Sequence, residues 1–153
     1  MPKSPSTASA KRTYFTAFLT MVMTNIFYVF MAWTLAHNPA QLAKTGYLHE
    51  RTALTVLCAL SLVAAIVNFL KTTSGKIGGN GRPVEFTPAQ FQAVTMTTMT
   101  YATGSSILGM FLFFSGLPFQ TFLYYVAATV IVEVPLILPA ALQYWEELEK
   151  TGR

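Results

Sequence analysis

The chain has 153 residues, of which 53% are hydrophobic and only 10% are charged, against roughly 25% charged residues in an ordinary soluble domain. The net charge of +4 does not indicate nucleic-acid binding, because the basic residues lie in short segments between long apolar runs. Composition therefore excludes a soluble domain and favours an all-α, polytopic membrane protein whose surroundings are the lipid bilayer.

Four apolar segments are long enough to cross a membrane as helices, since one span needs about 20 residues. They cover residues 14–35, 52–70, 91–117 and 122–142. We expect a flexible basic tail over residues 1–13 and a single four-helix transmembrane domain, arranged as two hairpins, over residues 14–153. The first span is long and rich in aromatic residues, so we interpret it as a retained anchor and not as a signal peptide.

The distribution of lysine and arginine predicts the orientation of the spans. The two tails and the middle linker together carry eight of these residues, while the first and third loops carry two and none. We therefore expect both termini in the cytoplasm or its equivalent. The corresponding location is a multi-pass position in a bacterial inner membrane or an organellar membrane.

The third helix is predicted to open at Thr87-Pro88, before the span itself, and Gln90 completes the pattern of a helix capping box. Within the span, small residues recur at intervals of three and four, which predicts a tight helix-packing face. A permeation pathway is the alternative interpretation of the same face. The small residues are Ala102, Ser105, Ser106 and Gly109.

Glu133 is the main candidate for chemistry, because it is the twelfth of 21 residues in the fourth span and so lies near mid-membrane. A charged carboxylate at that depth costs at least about 2.5–3.5 kcal/mol. Pro135 and Pro139 follow it and predict a kink, since each lacks the N–H that a helix needs. The carbonyl groups left without helical partners could bind a hard cation beside the carboxylate, or bind hydroxyls or water.

Polar residues at the same depth in other spans could contact Glu133. Asn25 is the twelfth of 22 residues in the first span, and Thr100 and Thr103 lie near the middle of the third. One interpretation is a hydrogen-bonded tie or a contact with another subunit. The other is a site that handles a proton or a cation.

His37 and His49 flank the first loop and are weak candidates for binding haem or another metal. The pattern H-E-x-x-H is absent, because Ala53 occupies the position of the second histidine. Two interfacial histidines without a ligand are the simpler interpretation, and we expect no cofactor. Cys58 is the single cysteine, so no intrachain disulfide can form.

The sequence offers little material for an enzyme, because it contains no aspartate and five of its six glutamates lie outside the spans. We therefore expect a non-enzymatic helical subunit or accessory factor of a larger membrane complex, with membrane-protein partners or further copies of itself. The alternative is a small oligomeric transporter, or a proton- or cation-translocating component, that uses Glu133.

Overall fold

The computed structural model describes residues 7–37, 48–77 and 84–150, and within these ranges the chain is helical and contains no strand. The prediction of an all-helical chain is confirmed for these residues. The π-helical segment Val132–Ile137 continues one α-helix directly into the next, and we refer to the combined rod Phe119–Lys150 as the α4–α5 helix. The α-helices are α1 (Thr7–Ala36), α2 (Leu48–Thr73), α3 (Pro88–Phe114), α4 (Phe119–Ile131) and α5 (Leu138–Lys150).

Both ends of the chain are more helical than the apolar runs alone predict. α1 begins at Thr7, so the last seven residues of the expected flexible tail are helical, while residues 1–6 lie outside the described part. α5 continues to Lys150, eight residues beyond the predicted end of the span. The two extensions are in contact. Lys11 Nζ lies 2.7 Å from Glu149 Oε1, and the centroids of the Tyr14 and Trp145 rings are 5.8 Å apart.

Three helices of the described part are long and apolar enough to cross a membrane: Thr7–Ala36, Arg51–Thr73 and Phe119–Lys150. α3 has 27 residues, which is sufficient length, but its middle is rich in threonine and serine. The prediction of membrane-crossing helices is therefore supported for three of the four segments. The fourth span and the orientation of the termini stay predictions.

Helices that follow one another in the chain run in opposite directions, so α1 and α3 run parallel, as the contacts between the helices show. The beginning of α1 lies beside the beginning of α3, where the rings of Tyr14 and Phe91 are 5.6 Å apart, and beside the end of the α4–α5 helix at Trp145. α2 runs against α3, because Asn68 near its end donates to Thr98 near the beginning of α3. We call the end of the bundle that holds these aromatic residues the basic end, since Lys11, Arg12, Lys71, Lys76 and Lys150 belong to it.

α3 is the central helix and packs against α1, α2 and the α4–α5 helix. Most of its serine and threonine side chains are buried against protein, whereas Thr97 and Thr100 are exposed. α1 instead buries only Tyr14, Phe18, Asn25 and Ala32 among its 30 residues. The polar sequence of α3 and the apolar sequence of α1 thus reflect a central and a peripheral position.

Local signals fix the ends of α3. Thr87 Oγ1 accepts from Gln90 N at 3.3 Å, and Gln90 Oε1 accepts from Thr87 N at 3.0 Å, which confirms the predicted capping box. Gly116, with φ +91°, permits the left-handed turn that leads into α4. The Arg51 guanidinium donates to the carbonyl of Ser115 and joins the beginning of α2 to this turn.

Candidate functional site

The carboxyl group of Glu133 lies where α1, α3 and the π-helical segment meet. Asn25 Nδ2 donates to Oε2 at 2.9 Å, and Thr103 Oγ1 donates to Oε1 at 3.0 Å. Glu133 and Asn25 are 0% exposed, and Thr103 is 8% exposed. The structure thus brings together three residues that the sequence placed at one depth, and each oxygen of the carboxyl group has one protein donor.

The hydroxyl of Thr103 differs from those of other threonines in the bundle. Ten threonines donate to the carbonyl four residues earlier, which is the usual way to satisfy a hydroxyl within a helix. Thr103 donates to Glu133 instead. The ten are Thr16, Thr20, Thr24, Thr34, Thr55, Thr73, Thr95, Thr98, Thr100 and Thr129.

This difference allows the site to satisfy either protonation state of Glu133. A carboxylate accepts the two hydrogen bonds seen in the structure. A neutral carboxyl group could instead donate its proton to Thr103 Oγ1, while the threonine turns its own hydroxyl proton towards the carbonyl of Met99, four residues earlier. Asn25 would continue to donate to the other oxygen.

Only the nitrogen of the Asn25 side-chain amide makes hydrogen bonds to the described residues. Nδ2 also lies 3.4 Å from the carbonyl oxygen of Met21, a long contact that orients the amide group. Oδ1 is buried and accepts no hydrogen bond in the described part of the chain.

Pro135 lies inside the π-helical segment and is exposed, while Pro139 is the second residue of α5. A proline cannot donate to the carbonyl four residues earlier, and a π-helical turn changes the pairing where the α-helical bond is missing. The same turn faces Glu133 towards α1 and α3. Single π-helical turns are often found at functional sites, which makes this segment part of the candidate site.

The small residues of α3 form a second polar contact next to Glu133. Ser106 Oγ donates to Thr129 Oγ1 at 2.9 Å, and Thr129 Oγ1 lies 3.0 Å from the carbonyl oxygens of Ala102 and Tyr125. Ala102, Ser105, Ser106 and Gly109 are all buried, as expected for a packing face. Sequence reasoning missed Thr129, although its position four residues before Glu133 places it on the same face of the helix.

The remaining candidates lie elsewhere. Thr100 is exposed and donates to the carbonyl of Met96, so it is not a partner of Glu133. His37 is exposed, its Nδ1 lies 2.8 Å from the carbonyl of Trp33, and its ring packs on that indole. His49 belongs to α2, but its side chain lies outside the described part. Cys58 is buried, with Sγ 3.7 Å from the carbonyl of Ser105.

Within residues 7–37, 48–77 and 84–150 there is no group of three or more histidine, cysteine, aspartate or glutamate side chains that could hold a metal ion. The polar groups that contact the Glu133 carboxyl group are instead the amide of Asn25 and the hydroxyl of Thr103. Comparison of the chain with protein-family models, curated proteins and solved structures finds no match.

Proposed function

We propose that the chain is a non-enzymatic helical subunit or accessory factor of a larger membrane complex, and that Glu133 ties its helices together. The observation that carries the proposal is the complete burial of the Glu133 carboxyl group between Asn25 and Thr103. A side chain in this position holds α1 and the α4–α5 helix against α3. In lipid such polar contacts are needed, because the hydrophobic effect does not drive helices together there.

The outer faces of α1 and α2 support a role in an assembly. On α1, Phe27 is 56% exposed, Phe30 is 62% exposed and Trp33 is 49% exposed. On α2, Leu60 is 57% exposed and Val63 is 55% exposed. α1 joins the bundle through one narrow stripe, so most of its apolar surface is free to contact lipid and the helices of a partner.

The proposal includes four spans with both termini on the cytoplasmic side. α3 crosses the membrane in the protected centre of the bundle, where most of its hydroxyls bond to protein. The topology can be tested with single cysteines at Glu149 (basic end) and Gln120 (opposite end), in a Cys58→Ala background. A membrane-impermeant thiol reagent added to intact cells should label position 120, and it should label position 149 only after permeabilisation.

A second function, proton or cation translocation, is favoured by one feature of the site. Glu133 Oε1 accepts from the Thr103 hydroxyl, which can rotate, and Asn25 Oδ1 next to the site accepts no hydrogen bond in the described residues. This function requires Glu133 to react with a hydrophobic carbodiimide, and it requires a cation to protect the residue from that reaction. The Glu133→Gln variant should abolish both the reaction and any ion flux in sealed vesicles.

Affinity capture from native membranes in a mild detergent tests the subunit role. We expect fixed partners at a constant ratio, and we expect their recovery to fall when Phe27 and Phe30 are both replaced by alanine. The matched control is Tyr124→Ala, on an α4 side chain that is 72% exposed. Recovery of the chain without any partner, or equal loss with the control, would contradict the proposal.

A further inference from the structure

A notch on the outside of the bundle lies between α2 and α3, near the basic end. Its volume is about 200 Å³, and it is open to the surroundings of the protein. Three polar residues line it, Asn68, Thr72 and Thr97, together with the apolar Ala93 and Val94. The site is separate from Glu133, and the inference drawn from it depends on the membrane location but not on the subunit role.

The two threonines of the notch, Thr72 and Thr97, have no side-chain hydrogen bond within the part of the chain that the structure describes. Thr100, three residues further along α3 and equally exposed, does donate to its own helix. Hydroxyls that are left without a partner in lipid indicate an acceptor supplied from outside the chain.

The depth of the notch limits what that acceptor can be. Ala93 and Thr97 precede Thr103 by ten and six residues, which corresponds to about 15 and 9 Å along the helix. If the level of Glu133 is the midplane, the notch lies between there and the edge of the hydrocarbon core, about 15 Å away. The ester oxygens of glycerophospholipids are found at this edge, and their acyl chains lie just inside it.

The positive charge of a lysine beside the notch indicates which phospholipid headgroup it would bind. Lys71 is exposed, directly precedes Thr72, and has no carboxylate within ion-pairing distance in the described residues. Basic residues at the edge of the cytoplasmic leaflet attract anionic headgroups. From these observations we infer that the notch binds one anionic glycerophospholipid, whose ester oxygens accept from Thr72 and Thr97 and whose phosphate lies near Lys71.

The test uses the full chain in detergent micelles with added phosphatidylglycerol or phosphatidylcholine, and counts bound lipids by native mass spectrometry. Wild type should retain one phosphatidylglycerol in preference to phosphatidylcholine. Thr97→Val should weaken retention about threefold, and the double variant Thr72→Val/Thr97→Val about tenfold, at the typical strength of one hydrogen bond within a membrane. Thr100→Val is the matched control and should bind as wild type does.

Three results would overturn the inference. They are the absence of retained phosphatidylglycerol in wild type, equal retention of the two lipids, and equal effects of Thr97→Val and Thr100→Val. Thermal unfolding of each variant in the same micelles separates loss of lipid from loss of fold. Because these valines replace exposed or half-buried threonines, we expect all the variants to unfold at the wild-type temperature in lipid-free micelles.

Discussion

Replacement of Glu133 by leucine or by glutamine separates its hydrogen bonds from its charge. Leucine has a similar volume but removes both acceptors, at 2.9 Å from Asn25 and 3.0 Å from Thr103. Interhelical hydrogen bonds in membranes contribute about 0.6 kcal/mol on average and up to about 1.7 kcal/mol. The two bonds together predict that Glu133→Leu lowers the free energy of unfolding by about 1–3 kcal/mol.

Glu133→Gln should lower the free energy of unfolding much less than Glu133→Leu does, because glutamine resembles the protonated form of Glu133. Its carbonyl oxygen can accept from Asn25, and its amide can donate to Thr103 Oγ1 once that hydroxyl turns to its own helix. We expect Glu133→Gln to lose less than about 1 kcal/mol, the value of one such bond. Part of this advantage depends on the ability of Thr103 to reverse its role, so a Thr103→Val background should reduce the advantage of glutamine over leucine to the bond with Asn25.

The assay is equilibrium unfolding in mixed micelles, followed by tryptophan fluorescence. Trp145 is 1% exposed and packs against Tyr14 and Tyr144, so its emission reports the closed bundle. Glu85→Gln, which neutralises an exposed carboxylate that forms no ion pair among the described residues, is the matched control. If Glu133→Leu is as stable as wild type, the hydrogen bonds of Glu133 do not stabilise the packing of the helices. If the glutamine variant loses as much as the leucine variant, the charge matters and the hydrogen bonds do not.

The packing of α3 on α4 provides two further predictions. A Cβ at Gly109 would lie 2.9 Å from Tyr125 Cβ, whereas one at Gly104 would meet only the terminal oxygen of the small Ser61 side chain, at 3.0 Å. Gly109→Ala should therefore destabilise the bundle by about 1–3 kcal/mol and Gly104→Ala by clearly less, and equal melting temperatures would contradict this packing. Thr129→Val should cost about 0.6–1.7 kcal/mol by removing its contacts with Ser106 and α3, and a Ser106→Ala background should reduce that cost if the two hydroxyls are coupled.

The sequence predicted the depth of the site but not the rotation of each helix about its axis. Apolar runs locate the middle of each span, so Asn25, Thr103 and Glu133 could be placed at one level. Thr100 lies at nearly the same level, and only packing decides which of the two threonines faces inwards. α1 is apolar on all sides, so its pattern does not distinguish the stripe that contacts α3.

The π-helical segment and the role of Thr129 also required the structure. Two prolines predict that the helical hydrogen bonds are interrupted, but the interruption can become a sharp kink, a π-helical turn or a break. Which of these forms is adopted depends on whether contacts with neighbouring helices stabilise one orientation of the Glu133 side chain. Thr129 was overlooked because a threonine in an apolar span usually bonds to its own helix, and its partner Ser106 lies 23 residues away in the sequence.

The mass of the intact assembly, extracted from native membranes in a mild detergent, tests the subunit role most directly. The account predicts a complex with fixed partners whose composition is the same for wild type and Glu133→Gln. A chain found alone or only as copies of itself, together with ion flux that Glu133→Gln abolishes, would contradict the account and favour translocation.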